Sequence, residues 1–177
     1  MTRPQRNRRW RAVRTPAALL TAMAVLAGSG WVAGVRVNLT PSEPVGLWRV
    51  RRGAPRRGDY IGFCAPVRKY PFLEAGSCPN GVMPFLKEIV GVPGDSIVET
   101  DQGVVIDGRR LPRSRPLPRA RDGVALPRWR GRLTLPPGEY WTYGGGDPEL
   151  SFDSRYFGPL PRARIRFVVR PVLTTGG

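Results

Sequence analysis

The sequence contains no histidine, and this absence restricts the chemistry that a catalytic site could use. A Ser-His-Asp triad is excluded, whereas a pair of serine and lysine stays possible. Of the 29 basic residues only Lys69 and Lys87 are lysines, and arginine cannot lose its proton in a protein. If a serine is the nucleophile here, few side chains could act as its base.

Cysteine is also scarce, since Cys64 and Cys78 are the only two. Two cysteines without a histidine cannot complete the usual four-ligand zinc shell, so we expect no metal site and no cofactor. In an exported domain, a cysteine pair at this spacing predicts a disulfide that closes the loop between the two residues.

Charge is missing from residues 15–35, although the chain carries a net charge of +16. The preceding residues 1–14 contain six arginines and no acid. At about 1.5 Å per helical residue, the uncharged segment would cross the roughly 30 Å of a bilayer core. Residues 1–14 then form a basic cytoplasmic tail, residues 15–35 a transmembrane anchor with Trp31 near its outer end, and residues 36–177 an exported domain. A cleaved secretory signal is the alternative, because the segment is rich in alanine and glycine.

Arginines are otherwise scattered, and their one dense run lies at 109–132, interleaved with prolines. Clustered basic side chains can bind phosphate, but no recognisable nucleic-acid module surrounds this run. We interpret it as a solvated, extended insertion, and expect no specific nucleic-acid partner.

Long amphipathic helices are absent from the pattern, and residues 36–177 alternate short apolar runs with glycine and proline. This pattern predicts a mostly β fold with glycine- and proline-rich loops. The predicted strands are Leu47–Val50, Tyr60–Cys64, Glu88–Val92, Ser96–Glu99, Val104–Ile106, Glu139–Tyr143 and Ile165–Val169.

Ser42 lies between Pro41 and Pro44, directly after the uncharged segment. Proline fixes its own φ and restricts the residue before it, so the backbone around this serine has few available shapes. An ordinary turn explains a lone Ser-x-Pro. The alternative is a nucleophile, which needs a base within hydrogen-bond reach.

Lys87 is the better candidate for that base, because it lies in an apolar, strand-like run. Burial can lower a lysine pKa by up to roughly 3–5 units and so produce a neutral amine. Lys69 lies in a polar, turn-like setting. The alternative for Lys87 is a side chain that reaches water from a sheet edge.

The stretch 144–159 begins with three glycines, which predict a flexible loop rather than a phosphate-binding loop, because the Lys-Ser/Thr of a P-loop is missing. Ser151, Asp153 and Arg155 follow closely. They could form an Asx turn with an exposed ion pair. If they fold beside Ser42 and Lys87, they could instead orient the lysine.

The order of these motifs resembles the type I signal peptidase superfamily. The motifs are Asn-Leu-Thr-Pro-Ser-Glu-Pro-Val-Gly-Leu at 38–47, Lys-Glu-Ile-Val-Gly-Val-Pro-Gly-Asp at 87–95 and Ser-Phe-Asp-Ser-Arg-Tyr-Phe-Gly-Pro at 151–159. The Ser-x-Pro-x-Gly-Leu setting is most similar to the TraF-type branch, whose peptidases mature pilin subunits in conjugative transfer systems. The resemblance implies a signal-peptidase-like antiparallel β domain preceded by one transmembrane helix.

The resemblance also implies a role for each site residue. It implies Ser42 as nucleophile, Lys87 as general base, Asp153 as an organising acid, Ser151 as support for the lysine, Arg155 as the partner of Asp153, and the Ser42 N–H with the Thr40 hydroxyl as the oxyanion hole. Glu88 departs from many relatives, which have a basic residue there. Adjacent strand residues point to opposite faces, so we expect its carboxylate to lie away from the pair.

The implied function is a serine endopeptidase in the inner membrane, with its N-terminus inside and its catalytic domain outside. It would cleave a pilin-like exported precursor, with a linear or cyclised product. One alternative is a general signal peptidase, and another is a non-catalytic basic scaffold of a transfer apparatus.

Overall fold

The N-terminal unit of the chain contains one long helix. The computed structural model describes residues 6–67 and 70–175, and the chain divides into two units, 1–36 and 37–177. Helix α1 (Arg6–Val32) is followed closely by Gly34, whose positive φ of 84° is common just after the end of a helix. Within the described part of the chain, no helix has both the length and the apolar character needed to cross a membrane. Helix α1 covers residues 15–32 of the predicted anchor, and the anchor itself stays a prediction.

Two antiparallel β-sheets make up the second unit. Their strands, in chain order, are β1 (Val35–Asn38), β2 (Val45–Arg51), β3 (Tyr60–Phe63), β4 (Phe85–Gly91), β5 (Ser96–Thr100), β6 (Gly103–Ile106), β7 (Arg109–Arg110), β8 (Gly131–Thr134), β9 (Glu139–Tyr143), β10 (Leu160–Pro161) and β11 (Ile165–Thr175). The larger sheet has the order β1-β2-β11-β3-β4-β9-β10, and the smaller one β7-β6-β5-β8. A single helical turn, α2 (Ser154–Phe157), follows β9.

All seven predicted strands are confirmed, and the mostly β fold with them. The best matches are β9, whose bounds agree at both ends, and β5, which extends one residue further. The four strands that the pattern did not predict have four residues or fewer. Two of them, β7 and β10, have only two residues, which is too few for an alternation of period two to be recognised.

Strand β4 lies in the interior of the larger sheet, between β3 and β9. Its buried residues are Lys87, Ile89 and Gly91, which alternate with less buried neighbours, as expected for one face of a strand. Ile89 packs in a core with Ile61 and Leu160, and each such side chain contributes about 1.5–3 kcal/mol by leaving water. The alternation of this strand therefore directs the lysine into the protein.

The Gly-x-Pro-Gly-Asp segment after Lys87 makes the turn from β4 to β5. Gly91 has no room for a side chain, because a Cβ there would lie 2.8 Å from the Cβ of Trp141. Asp95 closes the turn by accepting hydrogen bonds from the Val92 N–H at 2.7 Å and from Arg57 at 2.6 Å. This motif thus positions the end of the lysine-bearing strand.

The arginine- and proline-rich stretch 109–132 does more than extend into solvent. Ser114 is buried, and its Oγ accepts a hydrogen bond from the backbone N–H of Val104. Trp129 packs edge-on against Trp141, with ring centroids 5.0 Å apart. Our interpretation of a solvated insertion was therefore wrong for these side chains, because hydrophobic residues between the arginines pack against the sheets.

Cys64 and Cys78 form the predicted disulfide, with their Cα atoms 5.6 Å apart. The bond closes part of the loop between β3 and β4, and both cysteines are buried beside Val82. A disulfide stabilises a protein mainly by reducing the conformational freedom of the unfolded chain. We therefore expect it to stabilise the connection that leads into the lysine-bearing strand.

Replacing both cysteines by serine should lower the free energy of unfolding by about 3 kcal/mol, the value expected for a loop of this length. Urea denaturation would measure the change. Reduced wild-type protein is the control, and it should have the same denaturation midpoint as the double variant. If reduction leaves the denaturation midpoint of the wild type unchanged, the disulfide does not stabilise the fold.

Candidate active site

Ser42 lies in the short loop between β1 and β2 and is almost fully buried. Asn38 holds this loop through its side-chain amide. Its Nδ2 donates to the carbonyl oxygens of Thr40 at 2.9 Å, Glu43 at 3.1 Å and Pro44 at 3.1 Å. The sequence interpretation had assigned the rigidity of the loop to the prolines alone. The available signal was an asparagine at the entrance to a turn, where its amide commonly bonds to nearby backbone.

Lys87 meets Ser42 inside the domain. Its Nζ donates to Ser42 Oγ at 2.8 Å and to the carbonyl oxygen of Leu86 at 2.8 Å. The lysine is only 5% exposed, and this burial lowers its pKa below the usual value. The lysine is thus buried, and the alternative of a sheet-edge lysine is wrong. Lys69 lies outside the described residues.

Asp153 and Arg155 form a buried ion pair rather than an exposed one. Arg155 Nε donates to Asp153 Oδ1 at 2.8 Å, and a second guanidinium nitrogen donates to Oδ2 at 2.9 Å. Asp153 also caps α2 by accepting from the backbone N–H of Arg155. Burial alone lowers the pKa of Arg155, but the Asp153 carboxylate raises it above its usual value. The two side chains therefore form an ion pair that is joined by two hydrogen bonds.

Ser151 contacts this pair and not the lysine amine. Its hydroxyl donates to Asp153 Oδ2 at 2.9 Å. Among the described residues, the Lys87 amine bonds to Ser42 and Leu86 and not to Ser151. The resemblance implies that Ser151 supports the lysine. In the structure its hydroxyl bonds to the Asp153 carboxylate.

Two of the three glycines at 144–146, Gly144 and Gly146, pack closely against these residues. A Cβ on Gly144 would lie 1.9 Å from Ser151 Oγ and 3.2 Å from Lys87 Cδ, and the Gly144 N–H donates to Asp153. A Cβ on Gly146 would lie 3.0 Å from the carbonyl oxygen of Ser42. Our prediction of a merely flexible loop missed this role, because close packing of a glycine is not visible in a single sequence.

Thr40, the predicted side-chain donor of an oxyanion hole, has a different partner in this structure. Its Oγ1 donates to Asn38 Oδ1 at 2.7 Å. A hydroxyl has one proton to donate. Thr40 would therefore have to leave Asn38 before it could donate to a substrate oxygen.

Glu43 is the site residue that the sequence interpretation did not consider. Our concern was Glu88, but the carboxylates that raise the pKa of Lys87 are those of Glu43 and Asp153. Glu88 lies on the less buried face of β4, as predicted. Burial raises the pKa of Glu43 to about 8, against the opposing effect of Lys87. A glutamate held rigidly beside Ser42 was the signal that could have identified it.

The site therefore contains a serine hydroxyl in contact with a buried amine, and the buried Asp153–Arg155 ion pair. Such a pair can activate a hydroxyl for attack on a carbonyl when the amine is neutral. In the part of the chain that the structure describes, no group of three or more histidine, cysteine or acidic side chains could hold a metal ion.

Comparison with known families gives a match over residues 8–172 to the family described as signal peptidase, peptidase S26. The chain belongs to the S26 signal peptidase family. The match includes Ser42, Lys87 and Asp153, so the site described here lies entirely within the family region.

Several similar proteins are conjugal transfer proteins. A plasmid transfer protein TraF of Escherichia coli is 35% identical, over 98% of this chain and 99% of its own length. A probable conjugal transfer protein TraF of Sinorhizobium fredii is 36% identical, over 96% and 93%. The conjugal transfer protein TraF of Agrobacterium fabrum is 35% identical, over 85% and 90%. The resemblance to the TraF branch is therefore confirmed.

A solved signal peptidase I from Enterococcus faecalis is also similar. It shares 24% identity with a TM-score of 0.39, and the match covers 66% of this chain and 97% of that one.

Substitution of Gly144 tests the packing behind the lysine. Gly144→Ala should displace Ser151 and Lys87, because its Cβ has no room, and should destabilise the fold by about 1–3 kcal/mol. Gly145→Ala is the matched control, since its Cβ would lie 3.8 Å from the nearest atom, in Tyr143. Thermal unfolding of the two variants would measure the difference. Equal stabilities would show that the close approach at Gly144 is not needed.

Proposed function

We propose that this protein is a serine endopeptidase in which Ser42 is the nucleophile and Lys87 the general base. The observation that carries the proposal is the 2.8 Å contact between Ser42 Oγ and Lys87 Nζ in a buried setting. Membership of a signal peptidase family supports the reaction class. The lowered pKa of Lys87 supports the role of the amine as a base.

In the proposed reaction, neutral Lys87 accepts the hydroxyl proton of Ser42 as Oγ bonds to a peptide carbonyl carbon. The resulting ammonium gives this proton to the leaving amine as the C–N bond breaks. An acyl-enzyme remains on Ser42. Water gives a proton to Lys87 and bonds to the acyl carbon, the bond to Ser42 Oγ breaks, and Lys87 returns the proton to Oγ, which releases a linear product. If the N-terminal amine of the acyl group attacks in place of water, the same proton transfers close a ring.

The surrounding residues would orient this pair and bind the developing negative charge. Arg155 donates a hydrogen bond to the buried carboxylate of Asp153, and the Ser151 hydroxyl donates another. These bonds would hold the carboxylate in one orientation. The backbone N–H of Ser42 and the hydroxyl of Thr40 would donate to the oxyanion. The Thr40 hydroxyl becomes available when binding of the substrate separates it from Asn38.

We propose that the substrate is an exported precursor, most specifically a pilin-like protein of a conjugative transfer system. The TraF names of the similar proteins, with 34–36% identity over most of the chain, support a peptidase role in conjugation. The catalytic domain would act on the outer side of the inner membrane. Anchoring by residues 15–35 stays a prediction.

Two other functions make different predictions. A general signal peptidase would be needed for secretion as a whole, whereas a TraF-type enzyme would be needed for conjugation only. A non-catalytic scaffold would keep its function in Ser42→Ala. We expect this variant to accumulate uncleaved precursor and to stop conjugal transfer without reducing secretion.

The role of Lys87 is tested by Lys87→Arg. This variant keeps a positive charge but cannot supply a neutral amine, because arginine stays protonated. We expect a folded protein with precursor cleavage reduced by at least about 10³-fold, as for loss of a general base. Cleavage would be followed by immunoblot of the precursor in cells that carry the transfer system.

Lys69→Arg is the matched control, since it removes the only other lysine and should leave cleavage unchanged. Wild-type cleavage by Lys87→Arg would refute the proposed pair. Loss of cleavage in both variants would show that the assay reports lysine replacement in general.

A further inference from the structure

The buried carboxyl of Glu43 has no assigned role in the proposed reaction. Glu43 is 2% exposed, and its Oε1 has no hydrogen-bond partner among the described residues. An unpaired buried carboxylate is costly, so such a group either keeps its proton or pairs with a nearby cation. The residue directly follows the proposed nucleophile, and Lys87 is the cation that acts on it.

The other carboxylates of the region differ from Glu43 in their surroundings. Asp153 has two hydrogen bonds from the side chain of Arg155, so its charge is already compensated. Glu88 is on the opposite face of β4 and does not act on the Lys87 amine. Glu43 is thus the acid near Lys87 that lacks an arginine partner among the described residues.

We infer that Glu43 is a positioning residue that sets the pH at which Lys87 loses its proton. The inference rests on the proposed Ser42–Lys87 pair for its functional meaning. Its physical basis is that Glu43 directly follows Ser42, whose Oγ contacts the Lys87 amine at 2.8 Å, and that its carboxyl is buried with Oε1 unpaired.

The direction of the effect follows from the charges that face the two groups. Lys87 is affected by Glu43 and Asp153, which favour its ammonium form, and by Arg155, which opposes it. Burial and the carboxylates of Glu88 and Asp153 raise the pKa of Glu43, whereas Lys87 and a hydrogen bond from the Glu88 backbone lower it. Two phenols that are sensitive to Glu43, Tyr60 and Tyr143, have pKa values raised to about 12 by burial and stay neutral.

Glu43 and Lys87 can therefore hold one proton between them in two arrangements. With the proton on the carboxyl, both groups are neutral and Lys87 is a base. With the proton on the amine, the two groups carry opposite charges and Lys87 is inactive. A glutamine at position 43 cannot ionise, so the ammonium loses a nearby negative charge that favours it, and the amine becomes neutral at a lower pH.

The chain has only two lysines, and this makes a direct measurement possible. Protein labelled with ¹³C at the lysine ε-carbon should give two NMR signals, and Lys69→Arg assigns them. We expect Glu43→Gln to lower the titration midpoint of the Lys87 signal by about one unit or more, as for loss of a nearby opposite charge. The equilibrium constant for loss of the Lys87 proton would then rise about tenfold.

Glu88→Gln is the matched control, because it removes a half-buried acid from the neighbouring position of the same strand. Its Lys87 midpoint should stay at the wild-type value or rise slightly, since loss of the Glu88 charge makes Glu43 easier to ionise. If the midpoints of Glu43→Gln and the wild type coincide, the inference is wrong. It is also wrong if Glu88→Gln lowers the midpoint as much as Glu43→Gln.

A measurement on the wild type covers the case in which Glu43→Gln does not fold. The ¹³C signal of the Glu43 carboxyl should titrate well above the ordinary glutamate range and show a second inflection at the midpoint of Lys87. A single inflection near the ordinary glutamate pKa of about 4.3 would overturn the inference. These titrations need no substrate, so their outcome is independent of the cleavage assay. Titrations that contradict the role of Glu43 would leave the proposed peptidase function intact, and loss of the proposed function would leave the titration result intact.

Discussion

The structure depends on the removal of one ammonium group from water. Lys87 lies on an interior strand of the larger sheet, on the face that also carries Ile89 and Gly91. The free energy lost in its desolvation is supplied by the sheet around it, whose apolar residues bury enough surface to hold the strand in place. Because successive side chains of a strand alternate, the same backbone that hides the lysine turns Glu88 to the other face. The location of the amine is therefore a property of the sheet register and not of a local loop.

The remaining site residues are brought to this amine by close backbone contacts. The Ser42 loop is held by the amide of Asn38, and the 144–146 segment approaches both the loop and the lysine because it has no side chains. Asp153 accepts the N–H of Gly144 as well as bonds from Ser151 and Arg155. The serine, the lysine and the acid thus come from three distant parts of the chain. The lysine amine and the acid each bond to a main-chain atom, and the loop that carries the serine is held through its main-chain carbonyls.

Much of the fold could be predicted from the sequence, since seven of the strands follow from short apolar runs bounded by glycine and proline. The residues of the site could also be named, because the absence of histidine and the scarcity of lysine leave few combinations. The contacts between these residues could not be predicted from the sequence. The partner of Ser151 is a carboxylate rather than the lysine, and the packing of Gly144 depends on atoms far away in sequence. Glu43 was missed for the same reason, because its burial is decided by tertiary packing. The composition of 109–132 indicated solvation, whereas Trp129 packs on Trp141.

Two basic side chains, Lys87 and Arg155, are buried in this domain, and they differ in their hydrogen-bond partners. Arg155 has both carboxylate oxygens of Asp153, the carbonyl oxygens of Pro148 and Ser151, and the faces of two tyrosines. Lys87 has one hydroxyl and one carbonyl oxygen. A cation that must stay charged needs full compensation, because an unpaired buried charge is very costly. A group that is to lose its proton needs the opposite, since every added anion would stabilise the ammonium. In a chain that uses arginine for almost every other positive charge, the few hydrogen bonds of Lys87 suit the base proposed above, and the many partners of Arg155 suit a structural ion.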